Sequence, residues 1–356
     1  MITTQTVDFP DIEQEWRQCE NNGDVPTMFQ TFDWIKTWWK YFGFRGEKVL
    51  LAIYENGLLI GIAPLYATRM IKRRIPFFKM LLPMGSGESD YTGFVLKKKH
   101  ERTALLALLD YLRTQRWIIF RIGDVQRESP TARFLAEAAA ASRLHVAIFD
   151  HTSCPYIALP SNPDEYMVSL DNHFKKNLRS RTNRIHELGK VNFTVAPRDM
   201  NIPDAMRAFF NLHESRWALQ GQQGALSGEA VKAMHAEAAE RLSRYLYIGF
   251  LELNGKKIAC QYGYTYNNTR YSYLRGWDPE FKKYGVANIL LMHLVGEAIK
   301  SGVREYDFLR GNESYKFDFT KDKRDSVRFV ISKNPLTLKL YALAEKYSRR
   351  GANDNK

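Results

Sequence analysis

Cysteine is scarce in this sequence of 356 residues, which contains three, Cys19, Cys154 and Cys260. Three widely spaced cysteines are typical of reduced thiols and argue against a disulfide framework. No Cys-x-x-Cys or His-x-x-x-His spacing occurs among the three cysteines and eight histidines. We therefore predict that the protein has no metal site.

Long hydrophobic runs are also missing. The most apolar window, residues 49–66, is interrupted by Glu55-Asn56-Gly57, so it lacks the composition of a membrane span. Residues 1–10 lack the basic and apolar regions of a secretory signal. We expect a cytoplasmic protein whose contact with a membrane, if any, is peripheral.

Two sequence motifs of well-known enzyme classes are absent. The chain contains neither Gly-x-Ser-x-Gly nor Gly-x-x-x-x-Gly-Lys-Ser/Thr, which disfavours a serine hydrolase and a nucleoside triphosphatase. Positive charge, by contrast, is in excess, because 52 Lys and Arg stand against 39 Asp and Glu. The resulting net charge of +13 predicts a polyanionic ligand, whether nucleic acid, anionic lipid or a phosphorylated cofactor.

One pattern, an Asn-Gly pair between two apolar runs, occurs twice and is typical of a hairpin turn. The copies are residues 48–54 and 59–66 around Asn56-Gly57, and residues 245–253 and 257–266 around Asn254-Gly255. Because a single hydrophobic core stops growing at roughly 250–300 residues, we interpret the recurrence as two related lobes. The alternative is coincidence between common hairpins.

Helical patterns separate these strands, so we predict an α+β fold in which each lobe is a mostly antiparallel sheet flanked by helices. A Pro-rich passage near residues 155–163 predicts the boundary between the lobes. The predicted domains are residues 1–155, residues 156–335, and a C-terminal helix and tail at residues 336–356. The other helices are predicted at 102–115, 130–142, 163–170, 205–219, 229–244 and 287–301.

The most basic segment is residues 173–186, where Phe174, Leu178 and Ile185 form a sparse apolar stripe among Lys and Arg. This pattern predicts an amphipathic basic helix. It either holds phosphates of a coenzyme, lipid or RNA, or is simply a solvated helix. Solubility adequately explains the smaller clusters Lys72-Arg73-Arg74 and Lys97-Lys98-Lys99.

A glycine turn follows a third predicted strand of the second half, residues 270–276. Residues 276–288 leave this strand, turn at Asp278-Pro279 and enter a helix after Gly285. Such a turn exposes free amides and the positive end of the helix dipole, which suits pyrophosphate; an ordinary strand-to-helix turn is the alternative. The candidate cofactor-binding residues are Lys282, Lys283, Tyr284, Gly285, Val286, Ala287 and Asn288.

Two further clusters carry polar side chains. Residues 306–316 bring acids, a cation and a tyrosine together after a short strand, either as catalytic groups or as a structural ion-pair cluster. On the helix 205–219, His213, Arg216 and Trp217 have the spacing of one face, which suits the lining of a pocket. The candidate catalytic residues are Asp307, Glu313, Tyr315 and Lys316.

Taken together, these segments resemble the GNAT-superfamily acetyltransferases related to the cellulose-biosynthesis protein CelD, which carry a BioF2-like acetyltransferase domain. The resemblance extends from about Phe29 to Ser332. Its motifs are Phe29-Gln-Thr-Phe-Asp-Trp34, Trp38-Trp39, Gly61-Ile-Ala-Pro-Leu65, Asp90-Tyr91, Pro155-Tyr156, Leu159-Pro160, the basic helix, Leu212-His213 with Arg216-Trp217, Gly276-Trp-Asp-Pro279, and Asp307-Phe-Leu-Arg-Gly311 with Tyr315-Lys316.

The resemblance implies two tandem GNAT-like lobes, as in FemABX-type peptidoglycan aminoacyltransferases, and a role in envelope or exopolysaccharide metabolism. It also implies a donor, acetyl-CoA or another acyl-CoA, in the second lobe. GNAT proteins hold coenzyme A with Gln/Arg-x-x-Gly-x-Gly/Ala before a helix. Here Lys282-Lys-Tyr-Gly-Val-Ala287 matches the glycine and the alanine but has Lys in place of Gln or Arg.

The implied reaction is direct attack of an amine on the thioester, with no metal and no covalent enzyme intermediate. In it, Lys316 adds positive charge, Tyr315 protonates the thiolate, and Asp307 or Glu313 acts as base. The residues implied on the acceptor side are Asp90, Tyr91, His213 and Arg216.

Two other functions stay open. A FemABX-like enzyme takes the amino acid from aminoacyl-tRNA, the only nucleic acid that we expect as a partner, and the basic helix would bind that RNA. A non-catalytic scaffold binds a polyanion or an envelope-polysaccharide synthase and releases no thiol. The sequence does not identify the amine acceptor.

Overall fold

The computed structural model describes residues 1–70, 78–218, 221 and 224–353. Three features of the sequence predictions fall outside these residues: the basic cluster Lys72-Arg73-Arg74, position 219 at the end of one predicted helix, and positions 354–356 of the tail.

The elements are numbered in chain order. The strands are β1 Ile2–Thr6, β2 Glu47–Glu55, β3 Leu58–Met70, β4 Phe78–Pro83, β5 Val95–Leu96, β6 Ile119–Gln126, β7 His145–Ala158, β8 Val191–Ala196, β9 Leu246–Leu253, β10 Lys256–Tyr266, β11 Thr269–Trp277, β12 Glu305–Asp307 and β13 Lys323–Ser332. The α-helices are α1 Phe9–Asn21, α2 Phe32–Phe42, α3 Glu101–Thr114, α4 Pro130–Ala141, α5 Pro163–Ser169, α6 Asn172–His186, α7 Ile202–Ala218, α8 Glu229–Arg241, α9 Val286–Lys300, α10 Ser314–Phe319 and α11 Pro335–Asn353.

The chain divides into two compact units. The first is Met1–Thr152 together with Asp325–Lys356, and the second is Ser153–Arg324. The second boundary differs from the predicted lobe end at residue 335. The reason is that β13 pairs antiparallel with β6, and its Phe329 and Ile331 pack in the core of the first unit.

The first unit contains the strand order β1-β2-β3-β4-β6-β13, with β5 paired to β3. All neighbours are antiparallel except β4 and β6, which are parallel. Helix α3 carries leucines three or four residues apart, so they share one face and enter the core. These leucines are Leu105, Leu108, Leu109 and Leu112.

The second unit contains the strand order β8-β9-β10-β11-β12, followed by the part of β7 that begins at Ser153. The neighbours are antiparallel except β11 and β12, which are parallel. Helix α9 packs on β9, β10 and β11 and buries Leu290 and Leu294 in the core. Both units therefore confirm the predicted α+β fold.

The two predicted hairpins are present, as β2–β3 and β9–β10. Their turns have nearly the same conformation, with φ of 50° and 82° at Asn56 and Gly57 and of 52° and 83° at Asn254 and Gly255. Two consecutive residues with positive φ are the hairpin turn that matches strand twist, and Asn-Gly tolerates it. The local pattern thus predicted both turns correctly.

Candidate functional site

The predicted cofactor turn lies between a 3₁₀ helix, Pro279–Tyr284, and α9. Gly285 joins the two with a φ of 63°, a left-handed conformation that glycine adopts without strain. The Asp278 carboxylate accepts a hydrogen bond from the Glu280 amide at 3.0 Å and fixes the entry to the 3₁₀ helix. Because the first amides of a helix have no intrahelical acceptor, this turn offers donors and a positive dipole end to an anion.

The basic helix α6 packs beside this turn. A Cβ at position 285 would lie 2.8 Å from an Arg181 guanidinium nitrogen. The Arg184 guanidinium carbon lies 5.3 Å from the centre of the Tyr284 ring. The two basic features of the sequence, the helix and the Lys282-Lys283 pair, thus meet around one glycine.

A cleft of about 300 Å³ extends from α6 to the third residue of α9, Asn288. Asn177, Arg181 and Asn288 give it polar walls, and Phe174 and Phe317 give it apolar ones. Two carboxyl groups, Asp171 and Asp318, complete its rim. This mixture suits a long, partly apolar ligand with an anionic end.

The parallel pairing of β11 with β12 is short. It runs from Thr269–Glu305 to Tyr271–Asp307, whereas β11 continues to Trp277. Among the described residues, no strand pairs with this side of β11 beyond Tyr271. Arg275 lies in this stretch, and its guanidinium carbon is 3.2 Å from the centre of the Tyr315 ring. The two strands therefore separate where α10 brings Tyr315 against β11.

The Lys316 ammonium group stabilises the loop before α10. Its buried Nζ donates to the carbonyl oxygens of Leu309, Arg310 and Gly311 at 3.2, 2.8 and 3.4 Å. It also lies 3.0 Å from a Glu313 carboxylate oxygen. Burial alone would raise the pKa of Glu313, but the Lys316 ammonium outweighs it and the pKa is below the ordinary value. These contacts favour a structural role for Lys316 and leave Glu313 ionised at neutral pH.

Asp307 is fully buried at the end of β12. Its Oδ1 accepts from the Leu309 amide at 2.7 Å, and its Oδ2 lies 3.8 Å from the Arg324 guanidinium. Leu309 has a φ of 59°, so the carboxylate stabilises a left-handed residue of the turn. These contacts favour a structural role for Asp307 also.

Helix α7 brings two of the predicted acceptor residues to β11. His213 Nδ1 and Arg216 donate to the Arg275 carbonyl oxygen at 3.1 and 3.2 Å. Because a carbonyl only accepts, the proton of neutral His213 lies on Nδ1. Burial lowers the pKa of His213 to about 4. The arrangement depends on Gly276, whose Cβ, if present, would lie 2.4 Å from the His213 amide nitrogen.

The guanidinium groups of Arg216 and Arg275 are both largely removed from solvent. Burial, followed by the charge of Arg275, lowers the pKa of Arg216 to about 10. The Arg216 guanidinium carbon lies 4.3 Å from the centre of the Trp277 ring. The buried Nε of each arginine has no hydrogen-bond partner among the described residues. Such a pair attracts an anionic group.

The predicted acceptor residues divide between the units. Asp90 and Tyr91 are buried in the first unit, where the Tyr91 carbonyl accepts from Gln30 Nε2 at 2.9 Å. His213 and Arg216 belong to the second. His213 also borders a second cleft, of about 530 Å³, together with Trp217 and Lys232.

The sequence did not identify Arg275 as a candidate site residue. It also did not identify what the Arg181 side chain binds. Arg275 has the pattern of an ordinary strand residue, and only the adjacent Gly276-Trp277 signals an unusual strand end. Arg181 was part of the basic helix, but nothing local linked that helix to Gly285. No group of three or more His, Cys, Asp or Glu side chains suited to a metal ion occurs in the described part of the chain.

Comparison with known proteins identifies the type of domain that contains this site. Residues 172–317 match the family model described as an acetyltransferase (GNAT) domain. This segment contains α6, the Gly285 turn, β11, Tyr315 and Lys316. The chain therefore contains a GNAT acetyltransferase domain. The predicted GNAT assignment and the acyltransferase class are thus confirmed.

Solved structures share the fold of this chain over most of its length. FemX has a TM-score of 0.65 and 12% identity, over 96% of this chain and 99% of FemX. The C-terminal domain of a putative lysylphosphatidylglycerol synthetase from Agrobacterium fabrum has a TM-score of 0.56 and 10% identity, over 94% and 95% of the two chains. L-PGS from Bacillus licheniformis has a TM-score of 0.54 and 11% identity, over 88% and 96%. No curated protein matches the sequence.

Within the residues that the structure describes, no helix has both the length and the apolar character needed to cross a membrane.

Proposed function

We propose that this GNAT protein is an N-acyltransferase that moves an acyl group, acetyl or longer, from coenzyme A to an amine. The observation that carries the proposal is the Gly285 turn at the start of α9, beside which Arg181 and Arg184 of α6 lie. Free helix amides and guanidinium groups are the donors that phosphates prefer. The cleft between α6 and Asn288 then receives the rest of the donor.

The chemistry follows from the separation of β11 and β12. The amine nitrogen bonds to the thioester carbonyl carbon, the carbon–sulfur bond breaks, and the departing thiolate takes a proton. We assign the proton transfer to the Tyr315 hydroxyl and the oxyanion to backbone amides of β11 beyond Tyr271. Glu313, ionised and accessible, removes the proton of the amine through water, whereas Asp307 is enclosed.

The acceptor, in this proposal, carries an anionic group as well as its amine. Arg216 and Arg275 present buried donors without partners among the described residues, and a carboxylate or phosphate would satisfy them. His213 Nε2, which also lacks a partner in the described part of the chain, accepts a hydrogen bond from the amine. We keep the CelD and BioF2-like branch, a cytoplasmic location and a role in envelope or exopolysaccharide metabolism as parts of this proposal, supported by the sequence motifs.

A thiol-release assay with acetyl-CoA and longer acyl-CoA against amines, amino sugars and amino acids tests the proposal. Arg181→Ala should raise KM for the donor about tenfold and leave kcat nearly unchanged, because it removes a phosphate contact. Arg179→Ala, at another exposed arginine of α6, is the matched control and should change neither constant. Tyr315→Phe should lower kcat about 100-fold, as expected for loss of a general acid.

Two results would contradict the donor assignment. One is the absence of thiol release with every donor, together with no shift of Tm on adding coenzyme A. The other is an equal effect of Arg179→Ala and Arg181→Ala, which would show that only the net charge of α6 matters.

A second candidate function is transfer of an amino acid from aminoacyl-tRNA. The observation that favours it is the similarity to FemX over both units, since the family match covers only residues 172–317. In this version α6 binds the RNA backbone. Aminoacyl-tRNA would then replace acyl-CoA as the productive donor, and binding would weaken steeply with salt because counterions are released.

A further inference from the structure

The C-terminal helix α11 has an inner and an outer face. On the inner face, Glu345 lies 3.0 Å from the Arg328 guanidinium of β13 and accepts from the Tyr341 hydroxyl at 3.1 Å. The Tyr341 ring packs 6.4 Å from the Phe149 ring. These contacts anchor α11 to the first unit and fix which side of the helix faces solvent.

The outer face carries a ridge of leucines. Leu336, Leu340 and Leu343 are 64%, 67% and 52% exposed. Residues at spacings of four and three lie on one face of a helix, so these side chains form a continuous stripe. Exposed leucines are ordinary when single, but a row of them marks an interaction surface.

The sequence of α11 has an excess of basic over acidic residues. Its sequence contains Lys339, Lys346, Arg349 and Arg350 against a single acid, Glu345, and that acid is paired inward with Arg328. The whole chain has a net charge of +13. A second copy of this chain on the ridge would bring like charges together, whereas an anionic surface complements both the ridge and the exposed Lys339 on the same helix.

We propose that the outer face of α11 binds the surface of an anionic phospholipid bilayer. The helix has 19 residues, about 28 Å at 1.5 Å per residue, and lies in the interface with its leucines among the acyl chains. It does not span the bilayer, which agrees with its composition. This proposal goes beyond the acyltransferase reaction and does not rest on it.

Sedimentation of the full chain with phospholipid vesicles tests the proposal. The vesicles contain phosphatidylcholine alone or with about 30 mol% phosphatidylglycerol. Binding should be at least about tenfold stronger to the anionic vesicles, and it should weaken as salt screens the charges. Leu340→Glu should reduce binding about tenfold or more, and Lys339→Glu about fivefold.

The matched control is Leu58→Glu, at a leucine that is 65% exposed but lies in the β2–β3 hairpin, and it should bind like the wild type. Circular dichroism and Tm show that each variant is folded. The proposal is overturned if the wild type does not sediment with anionic vesicles, or if a folded Leu340→Glu sediments equally well. It is also overturned if sedimentation velocity shows a dimer that Leu340→Glu dissociates while no variant binds vesicles. Because acyl transfer is not measured, these outcomes leave the proposed function untouched.

Discussion

His213 links a single buried side chain to the pH dependence of stability. In the folded protein, burial lowers its pKa from 6.5 to about 4. The unfolded chain therefore binds a proton at His213 below about pH 6.5, while the folded chain remains neutral there until about pH 4. The free energy of unfolding should fall as the pH is lowered through this window, by roughly 3 kcal/mol from His213 alone. His235, with a pKa of about 3, adds to the same loss.

Urea unfolding at several pH values between about 7 and 4 measures this loss. His213→Phe should make the pH dependence shallower without abolishing it, because His235 still titrates only when unfolded. His186→Phe, at an exposed histidine of α6, should leave the slope as in the wild type. Equal slopes for the wild type and for His213→Phe would show that His213 is solvated in the folded protein.

Residues of the candidate site were predictable where they are close in sequence. Glu313, Tyr315 and Lys316 were found together because they share one loop and one helical turn. The sequence did not reveal that the Lys316 ammonium group donates its hydrogen bonds to three carbonyl oxygens of the loop. Nor did it link Arg275 to Tyr315, because that contact depends on where β11 and β12 separate. The role of a side chain that depends on a tertiary contact cannot be predicted from the spacing of neighbouring residues in the sequence.

At the scale of elements, Gly276 sets the distance between α7 and β11. Its Cβ, if present, would lie within 2.7 Å of three backbone atoms of Leu212 and His213, which cannot rotate away. Gly276→Ala should therefore push α7 from the strand and lower the free energy of unfolding by about 1–3 kcal/mol. The shift should also weaken the hydrogen bonds of His213 and Arg216 to the Arg275 carbonyl.

Gly296→Ala, in the middle of α9, is the matched control, because a Cβ at this position would meet no described atom within 4 Å beyond the backbone of its own helix. Alanine favours a helix more than glycine does, so this change should stabilise the protein by up to about 1 kcal/mol. Chemical denaturation of both variants gives the comparison. If Gly276→Ala proves as harmless as Gly296→Ala, then α7 is free to move without loss.

Elements whose contacts are local in sequence were predicted, whereas the pairing of strands distant in sequence was not. The turns of the β2–β3 and β9–β10 hairpins are formed by residues that are adjacent in sequence. The Asn-Gly pairs therefore predicted both hairpins. The pairing of β13 with β6, in which Ser326 lies opposite Gln126, joins segments from distant parts of the sequence. Apolar alternation makes β13 a strand but does not say which strand it pairs with, so the predicted lobe end at residue 335 assigned it to the second half.

For the whole molecule, the pairing of β13 means that the last part of the chain completes the first unit. Phe329 is almost fully buried among residues of that unit. Phe329→Ala should lower the free energy of unfolding of the first unit by about 3–5 kcal/mol, the usual cost of a large cavity. Phe44, also in the first unit, is 81% exposed, so Phe44→Ala should cost less than about 0.5 kcal/mol.

Hydrogen exchange followed by mass spectrometry locates the effect of Phe329→Ala. Protection should fall in β6, in β13 and in α3, whose leucines share the core with Phe329. Peptides of β9 and β10 belong to the second unit and should keep their protection below the melting transition. A uniform loss of protection in both units would contradict the division, because it would mean that the two unfold as one cooperative body. Loss confined to β9 and β10 would place β13 with the second unit, as the sequence alone suggested.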